Sequence, residues 1–453
     1  MTASERYFHG SYRAARPYLF AKVFLAMLAL DTWMLMIGHA GRYGVAGFNV
    51  AHFRWLDRLE PVPSAALYVG VLVLTGLLAL CIALCGLRPV ALFALFLLYT
   101  FSWSMSMLDS YQHHYFLSSI LLCMLFFPRV RGTDFAPPPT TAATVNERER
   151  NPHLVSGFGY NLLGVTVGVL YTYTSIAKMD AAWCAGHTIR RISSAETAFA
   201  PLVGWLVRVG LPAERFWSLL ATSVIPLELC VALGYLLAVR QDTSERRWLR
   251  WACTLSWLLA MTLHFGADFM GLQIGWFSDY MILLACVFLL PGRIVELLGG
   301  LVIWPARFAA AQLADWHDDV GSAEHNLPTL GLSAAIAVVL GLVGRMLDLP
   351  GAQSACLLAA VALLGLTTWA VWRGRAAQLR TLILGTGIAV LLMWGAFARS
   401  EVRWDFYRYL GGDLKRRGQP EAALDAYLKG ERYAPSGQSR RDKIEELERQ
   451  LGR

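Results

Sequence analysis

The chain has 453 residues, of which 56% are hydrophobic and only 16% are charged, and its mean hydropathy is +0.45. Soluble domains carry about 45–50% apolar and about 25% charged residues, so this composition excludes a disordered chain, a disulfide-stapled secreted scaffold and a coiled coil. It indicates an integral membrane protein built from helices. Lys and Arg number 40 against 32 Asp and Glu, a surplus that membrane proteins hold in cytoplasmic loops and that gives no reason to expect nucleic-acid binding.

Apolar runs long enough to cross a bilayer recur along the whole chain. About 18 residues suffice for a helix, and eleven runs meet or approach that length, at residues 17–38, 64–86, 89–108, 111–128, 154–177, 215–239, 250–268, 272–291, 327–346, 351–372 and 381–398. The runs are continuous rather than alternating, which excludes a β-barrel. The predicted fold is therefore all-α: a polytopic helical membrane protein with about eleven transmembrane helices and a small soluble helical tail.

The distribution of basic residues orients the chain. Cytoplasmic loops of membrane proteins carry an excess of Arg and Lys. Counting alternate loops places the larger share on the side of the N-terminus, including Arg13, Arg16, Arg88, Arg129, Arg246, Arg250, Arg293 and Arg373. The N-terminus is therefore predicted to be cytoplasmic, and an odd number of spans places the C-terminal tail outside.

Composition divides the chain into four segments. Residues 1–292 form a membrane domain of about eight spans, and residues 293–325 resemble an amphipathic interfacial helix. Residues 326–399 supply three further transmembrane helices, and residues 400–453 form the soluble tail.

The tail has the spacing of large and small residues that is typical of a helical hairpin. It resembles a tetratricopeptide repeat through Tyr407, Leu410, Gly411, Leu414, Gly418, Ala423, Tyr427, Gly430 and Pro435, with a capping helix at 438–452. A generic helical hairpin is the alternative. One repeat cannot bury a core alone, so we expect the tail to pack on the membrane domain or on a partner, either a protein or a peptide substrate.

Polar residues gather at the predicted outside ends of four spans. They are Asp109, Gln112, His113 and His114; Lys178 and Asp180; His264 and Asp268; and Gln273. Polar groups are costly in a bilayer and are functional candidates by default. Each also has a structural interpretation, because Lys178 can snorkel, Asp180 can cap a helix, and the acids Asp31 and Glu228 within spans can form interhelical hydrogen bonds.

Lys178 carries the most specific chemistry of this set. A low-dielectric pocket disfavours the ammonium form, and a neutral lysine is a competent general base. Its substrates would be weak acids that lie in the membrane, such as a phenol or hydroquinone. A nearby histidine could donate to the resulting oxyanion or relay the proton.

Three segments around these residues carry a family resemblance. Residues 108–117 read Leu-Asp-Ser-Tyr-Gln-His-His-Tyr-Phe-Leu, residues 176–183 read Ile-Ala-Lys-Met-Asp-Ala-Ala-Trp, and His264 precedes Gln-Ile-Gly-Trp-Phe-Ser at 273–278. Over about residues 10–292 the chain resembles the vitamin K-dependent gamma-carboxylase and its bacterial relatives with the horizontally transferred transmembrane (HTTM) domain. The resemblance implies that Lys178 is the catalytic base and His114 the catalytic histidine. It also implies a cofactor pocket formed by His113, Trp183, His264, Gln273 and Phe277.

The resemblance further implies a lipid hydroquinone, similar to vitamin K hydroquinone, as cofactor, with oxygen and in some members carbon dioxide as co-substrates. The site would face outward from a bacterial inner membrane. His113 stands where the family has Asn, and residues 293–453 stand where the carboxylase has a large lumenal region. Quinol oxidation is therefore better supported than glutamate carboxylation.

Three other functions remain open from the sequence. The chain could be a non-catalytic assembly or partner-binding protein that uses its tail. A metal site at His114, His187, His264 and Asp268 is disfavoured because nothing here has the close ligand spacing of a dedicated site, such as two histidines on one helix turn. A transporter is disfavoured because no internal repeat is evident.

Overall fold

A computed structural model describes residues 7–42, 64–104, 112–131, 154–192, 195–271, 276–314, 326–374 and 376–453, and these are almost entirely helical. In chain order the helices are α1 (Ala15–Met34), a 3-10 helix (Met36–Arg42), α2 (Ala65–Cys85), α3 (Pro89–Ser104), α4 (Gln112–Met124), α5 (Phe158–Ala177), α6 (Ala181–Cys184), α7 (His187–Ile192), α8 (Ala195–Arg208), α9 (Ala213–Ala238), α10 (Arg247–Phe269), α11 (Phe277–Leu289), α12 (Gly292–Ala314), α13 (Asn326–Met346), α14 (Ala352–Trp372), α15 (Ala376–Ala398), α16 (Ser400–Arg416), α17 (Pro420–Glu431) and α18 (Arg441–Gln450).

Six helical segments of the described chain are long and apolar enough to cross a membrane: Ala15–Gly41, Ala65–Cys85, Ala213–Ala238, Pro328–Met346, Ala352–Trp372 and Leu379–Ala398. They confirm the predicted all-α class and an integral membrane protein. Of the other predicted spans, α3 and α11 are apolar but shorter. Helices α4, α5 and α10 do not reach the same combination of length and apolar character. The count of eleven therefore remains a prediction.

The β-structure of the described residues is one two-stranded antiparallel ribbon. Strand β1 (Ser11–Arg13) pairs antiparallel with β2 (Leu154–Ser156), and Tyr12 lies opposite Val155. The ribbon joins the segment before α1 to the segment before α5, so the N-terminal ends of these two helices lie close together.

The described contacts divide the chain into two compact units. The first contains Met1–Phe24 and Cys123–Gln312, and the second contains Leu25–Leu122 and Leu313–Arg453.

The ribbon end of the first unit is organised by Arg16, which is only 2% exposed. Its Nε donates to Asp242 Oδ2 at 2.6 Å, and its Nη2 donates to Gln241 Oε1 and to the Leu290 carbonyl, each at 3.1 Å. Its Nη1 donates to the Val287 carbonyl. A buried charge is tolerated when it is paired and fully hydrogen-bonded, so this arginine joins α1, the α9–α10 loop and the end of α11.

Helix α9 is the centre of the first unit, because it contacts α5, α6, α7, α8, α10 and α11. It approaches α10 closely where Gly234 lies directly against Ser256, and any larger side chain at 234 would collide with that serine. Nearby, the rings of Tyr160 and Phe288 stack with centroids 4.2 Å apart, which joins α5 to α11.

In the second unit, α2 packs on α3, α14 and α15, and α13 packs on α14 and α15. Helix α2 begins where the Ser64 hydroxyl accepts from the Leu67 amide at 3.1 Å, an N-cap that supplies one of the missing helical acceptors. The turn before α14 contains Gly351 at φ +90°, against the Ala66 carbonyl. A side chain there would suffer both left-handed backbone strain and a collision.

The tail is a helical hairpin with a third helix. Gly411 of α16 faces the Tyr427 ring of α17, where a Cβ would lie 2.9 Å from the ring, and Ala423 and Leu424 pack with Ile444 of α18. This is the predicted interlock of large and small residues; its assignment to the tetratricopeptide repeats stays a prediction.

The tail also packs on the membrane helices of its own unit. The Tyr407 hydroxyl donates to the Asp348 carbonyl at 2.7 Å, and the Tyr433 hydroxyl donates to the Asp348 carboxylate at 2.8 Å. Gly41 of the 3-10 helix lies against the backbone of Leu410. The hairpin thus covers part of its apolar surface on the membrane helices, as a single repeat requires.

Candidate active site

Lys178 lies at the C-terminal end of α5 and forms an ion pair with Glu228 of α9. The Lys178 Nζ is 2.8 Å from Glu228 Oε1, and the two side chains are 21% and 7% exposed. The Lys178 side chain therefore does not simply extend towards solvent. It is held across the α5–α9 interface by a carboxylate that is almost completely buried.

The indole ring of Trp183 lies beside the Lys178 side chain. Asp180 caps the short helix α6 by accepting from the amides of Ala182 and Trp183 at 2.8 and 3.0 Å, which confirms the capping interpretation of Asp180. The Trp183 Nε1 donates to the Ala221 carbonyl of α9 at 2.8 Å. The Lys178 Nζ lies 5.3 Å from the centre of the indole ring, within range of a cation–π contact.

His264 is joined to α5 through Tyr171. The Tyr171 hydroxyl and His264 Nε2 are hydrogen-bonded at 2.6 Å, and His264 is 5% exposed. The ring of Tyr171 also stacks on Tyr235, with centroids 5.9 Å apart. His264 is thus a hydrogen-bonded interior residue of α10, and it contacts α5, the helix that ends at Lys178.

Glu228 is the acidic residue of this group. The Thr174 side chain also interacts with the Glu228 carboxylate. The second oxygen, Oε2, is buried and has no partner of normal hydrogen-bond geometry among the described residues. Glu228 also lies within electrostatic range of the Tyr171 hydroxyl. Two hydrogen-bonded pairs, Lys178–Glu228 and Tyr171–His264, therefore meet around one acid that retains an unused acceptor.

The sequence offered an interhelical hydrogen bond as one interpretation of Glu228, and the structure supplies Lys178 as its partner. Tyr171 was not singled out. The available signal was spacing. Tyr171, Ser175 and Lys178 follow one another at i, i+4 and i+7, which places them on one face of α5. Ser175 donates to the Ile225 carbonyl of α9 at 2.9 Å, so this face meets α9 along its length.

One further predicted pocket residue lies at the start of α11. Phe277 is the first residue of α11 and is half-buried. Gln273 lies outside the described residues, so its predicted role remains untested.

His113 and His114 belong to the second unit, on α4, and both are half-buried. The His114 Nδ1 is hydrogen-bonded to the hydroxyl of the buried Tyr99 on α3 at 2.8 Å. Beside it, Trp103 Nε1 donates to the Ser118 hydroxyl at 3.0 Å. These bonds fix α3 against α4 and fix the His114 ring.

The described residues contain no group of three or more His, Cys, Asp or Glu arranged to hold a metal ion.

A comparison with protein families matches residues 18–291 to the HTTM domain. The match covers more than half of the chain. The chain belongs to the HTTM family. It is therefore a membrane protein related to the vitamin K-dependent carboxylases. All the predicted site residues, from His113 to Phe277, fall within the matched region, whereas α13–α15 and the tail fall beyond it. No solved structure matches the chain.

Proposed function

We propose that this HTTM protein is a membrane enzyme that deprotonates and oxidises a lipid hydroquinone at its extracytoplasmic face. The observation that supports the proposal most is the Lys178–Glu228 ion pair, 2.8 Å long, with a buried carboxylate oxygen left without a partner. A buried carboxylate oxygen without a partner calls for an explanation, and a substrate hydroxyl or a proton would satisfy this one.

In this proposal the pair shares one proton. When that proton resides on Glu228 Oε1, the Lys178 Nζ is a neutral amine and can accept a proton from a hydroquinone hydroxyl, giving an ammonium and a quinolate. In this form neither side chain is charged, so the pair avoids the free-energy cost of burying two charges away from water. The sequence suggested that a low-dielectric pocket alone would keep Lys178 neutral. In this proposal Glu228 does so by taking up the lysine proton.

The family resemblance assigns His114 the role of proton partner, and its hydrogen bond with the Tyr99 hydroxyl would set the orientation of its ring. Trp183 would present a flat apolar surface beside the amine, and the Tyr171–His264 pair would hold Glu228 in a polar environment.

The quinolate is then the electron donor and oxygen the acceptor. Two electrons and two protons passing from the hydroquinone to oxygen give quinone and hydrogen peroxide; retention of one oxygen atom in the ring gives an epoxide and water. Carboxylation would additionally need carbon dioxide and a carbon acid.

The test is oxygen consumption by the purified protein in nanodiscs, supplied with a reduced short-chain naphthoquinol. Lys178→Ala should abolish the quinol-dependent uptake, and Glu228→Gln should lower it at least about tenfold because the base loses its proton acceptor. Lys415→Ala is the matched control, since Lys415 also forms a lysine–glutamate ion pair, 2.7 Å from Glu446, but lies in the tail. Uptake that is unchanged in Lys178→Ala would contradict the enzyme assignment.

A second candidate is a non-catalytic assembly protein whose tail recruits a partner. It is favoured by the tail itself, which lies outside the matched family region and forms an ordered hairpin on the membrane helices. Under this function no quinol supports oxygen uptake, in the wild type or in any variant, so the same measurement separates the two candidates.

A further inference from the structure

The tail contains a strongly basic cavity of about 340 Å³. Its lining includes the cationic side chains of Arg408, Arg416, Arg440 and Lys443 and the rings of Tyr409 and Tyr427. None of the lining side chains is acidic. This cavity belongs entirely to helices α16–α18 and their connections, beyond the region that the family match covers.

The fold spreads these cations along a groove instead of focusing them on a point. Arg408 and Arg416 are eight residues apart on α16, which places them on one face and about 12 Å apart along the axis. Between them Gly412 leaves the groove floor without a side chain. Arg440 and Lys443 form the opposite wall at the start of α18.

The cations are only lightly neutralised. Arg408 pairs with Asp405 at 2.8 Å and Lys443 with Glu446 at 3.3 Å, and these pairs are exposed enough to exchange partners readily. Arg416 pairs through Nη2 with the buried Asp413 at 2.9 Å, but its side chain is 70% exposed, which leaves its other N–H groups for a ligand. Arg440 has no carboxylate within ion-pair distance in the part of the chain that the structure describes. The Tyr427 hydroxyl lies within electrostatic range of three of these cations, Arg440, Lys443 and Arg416.

We propose that this cavity binds an acidic peptide segment in an extended conformation. An extended chain rises about 3.3 Å per residue, so two carboxylates about four residues apart would reach both Arg408 and Arg416. A single phosphate or carboxylate ion is too small to span that distance. Tyr409 offers a ring and a hydroxyl group to the intervening peptide, whereas Tyr427 is only 6% exposed and its ring lies in the hairpin core.

The experiment is fluorescence anisotropy with the full-length protein in nanodiscs of neutral phosphatidylcholine. The probe is a labelled seven-residue peptide with Glu at its second and sixth positions, and its counterpart has Gln there. We expect the Glu peptide to bind at least about tenfold more tightly than the Gln peptide, because charge-assisted hydrogen bonds to both carboxylates are lost in the latter. Equal binding of the two peptides to the unmodified protein would overturn the proposal.

Two double variants locate the site. Arg416→Gln with Arg440→Gln should weaken binding of the Glu peptide about tenfold or more. Arg432→Gln with Arg449→Gln removes the same charge from exposed positions outside the cavity and should change the affinity less than about twofold. Equal losses in the two double variants would show a diffuse attraction and refute the site.

Competition distinguishes a peptide from a small anion. Inorganic phosphate should displace the labelled peptide only at concentrations that also screen charge generally. Displacement at the same concentration as the unlabelled peptide would assign the cavity to a small anion and overturn the peptide proposal. Because the cavity lies outside the matched family region, these outcomes do not depend on quinol chemistry.

Discussion

At the scale of single residues, the Arg16–Asp242 and Lys178–Glu228 ion pairs of the first unit differ in how completely their polar atoms are hydrogen-bonded. Arg16 donates to Asp242 and to several backbone carbonyls, so its guanidinium is fully used in the structure. Lys178 and Glu228 leave one carboxylate oxygen without a described partner. The first arrangement is suited to stabilise the fold, and the second to exchange a proton.

The Asp242 carboxylate should stabilise the folded state in a pH-dependent manner. Burial raises its pKa, but the Arg16 guanidinium and its hydrogen bond, together with the Arg13 amide, outweigh burial and hold the pKa below its ordinary value. A depressed pKa contributes stability that is fully present above the unfolded pKa of about 3.9 and is lost as the pH falls through the folded pKa.

Asp242→Asn should therefore destabilise the protein by about 3–5 kcal/mol at pH 7, because Arg16 remains buried without its counterion. The difference from wild type should shrink in the acid range below about pH 4. Thermal unfolding in detergent at the two pH values measures both effects. Glu296→Gln is the control, since Glu296 pairs with Arg13 at a more exposed place and should cost less than about 1 kcal/mol. Equal losses in the two variants would refute the argument from burial.

At the scale of helices, function and assembly depend on which face each helix presents. Tyr171, Ser175 and Lys178 form one face of α5, and that face meets α9 through Ile225 and Glu228. In the tail, α16 presents Gly411 to Tyr427, and α17 presents Gly430 to Tyr407. In each case a small or hydrogen-bonding side chain lets the helices approach closely.

Gly411→Ala should loosen the tail hairpin. The added Cβ would lie 2.9 Å from the Tyr427 ring, and overpacking of this kind costs about 1–3 kcal/mol, more than the roughly 1 kcal/mol gained in helix propensity. Gly412→Ala is the neighbouring control, because its Cβ would make only an ordinary 3.4 Å contact. Limited proteolysis at the turn around Gly418 measures the opening. Faster cleavage of Gly411→Ala alone is expected, and identical cleavage of the two variants would contradict the interlock.

At the scale of the whole molecule, the HTTM region is followed by α13–α15, which supply three further helices apolar enough to cross a membrane, and then by the tail. Loop charges predict a cytoplasmic N-terminus, and an odd number of spans predicts an extracytoplasmic tail.

Reporter fusions in a bacterial host test this orientation. Alkaline phosphatase joined after Arg453 should be active and a fluorescent protein at the same place dark, because each folds on one side of the membrane only. The same reporters joined at residue 243, in the loop between α9 and α10, should behave in the opposite way. Phosphatase activity at residue 243, with none after Arg453, would reverse the predicted topology.

The sequence by itself determined the membrane class, the all-α fold, the family and the hairpin of the tail. These follow from composition, from long apolar runs and from short motifs such as Lys178-Met-Asp180, all of which are local properties of the chain. The capping role of Asp180 could also be anticipated, because a cap involves only the next few residues.

The tertiary structure decided which side chains meet across helices. Glu228 could be seen in the sequence as an acid within an apolar run, but its contact with Lys178 spans fifty residues and depends on the packing of α9 against α5. The same is true of Tyr171 with His264 and of Arg16 with Asp242. Periodicity gives the face of each helix, whereas the partner of that face depends on how whole helices pack, and this is not a local property of the sequence.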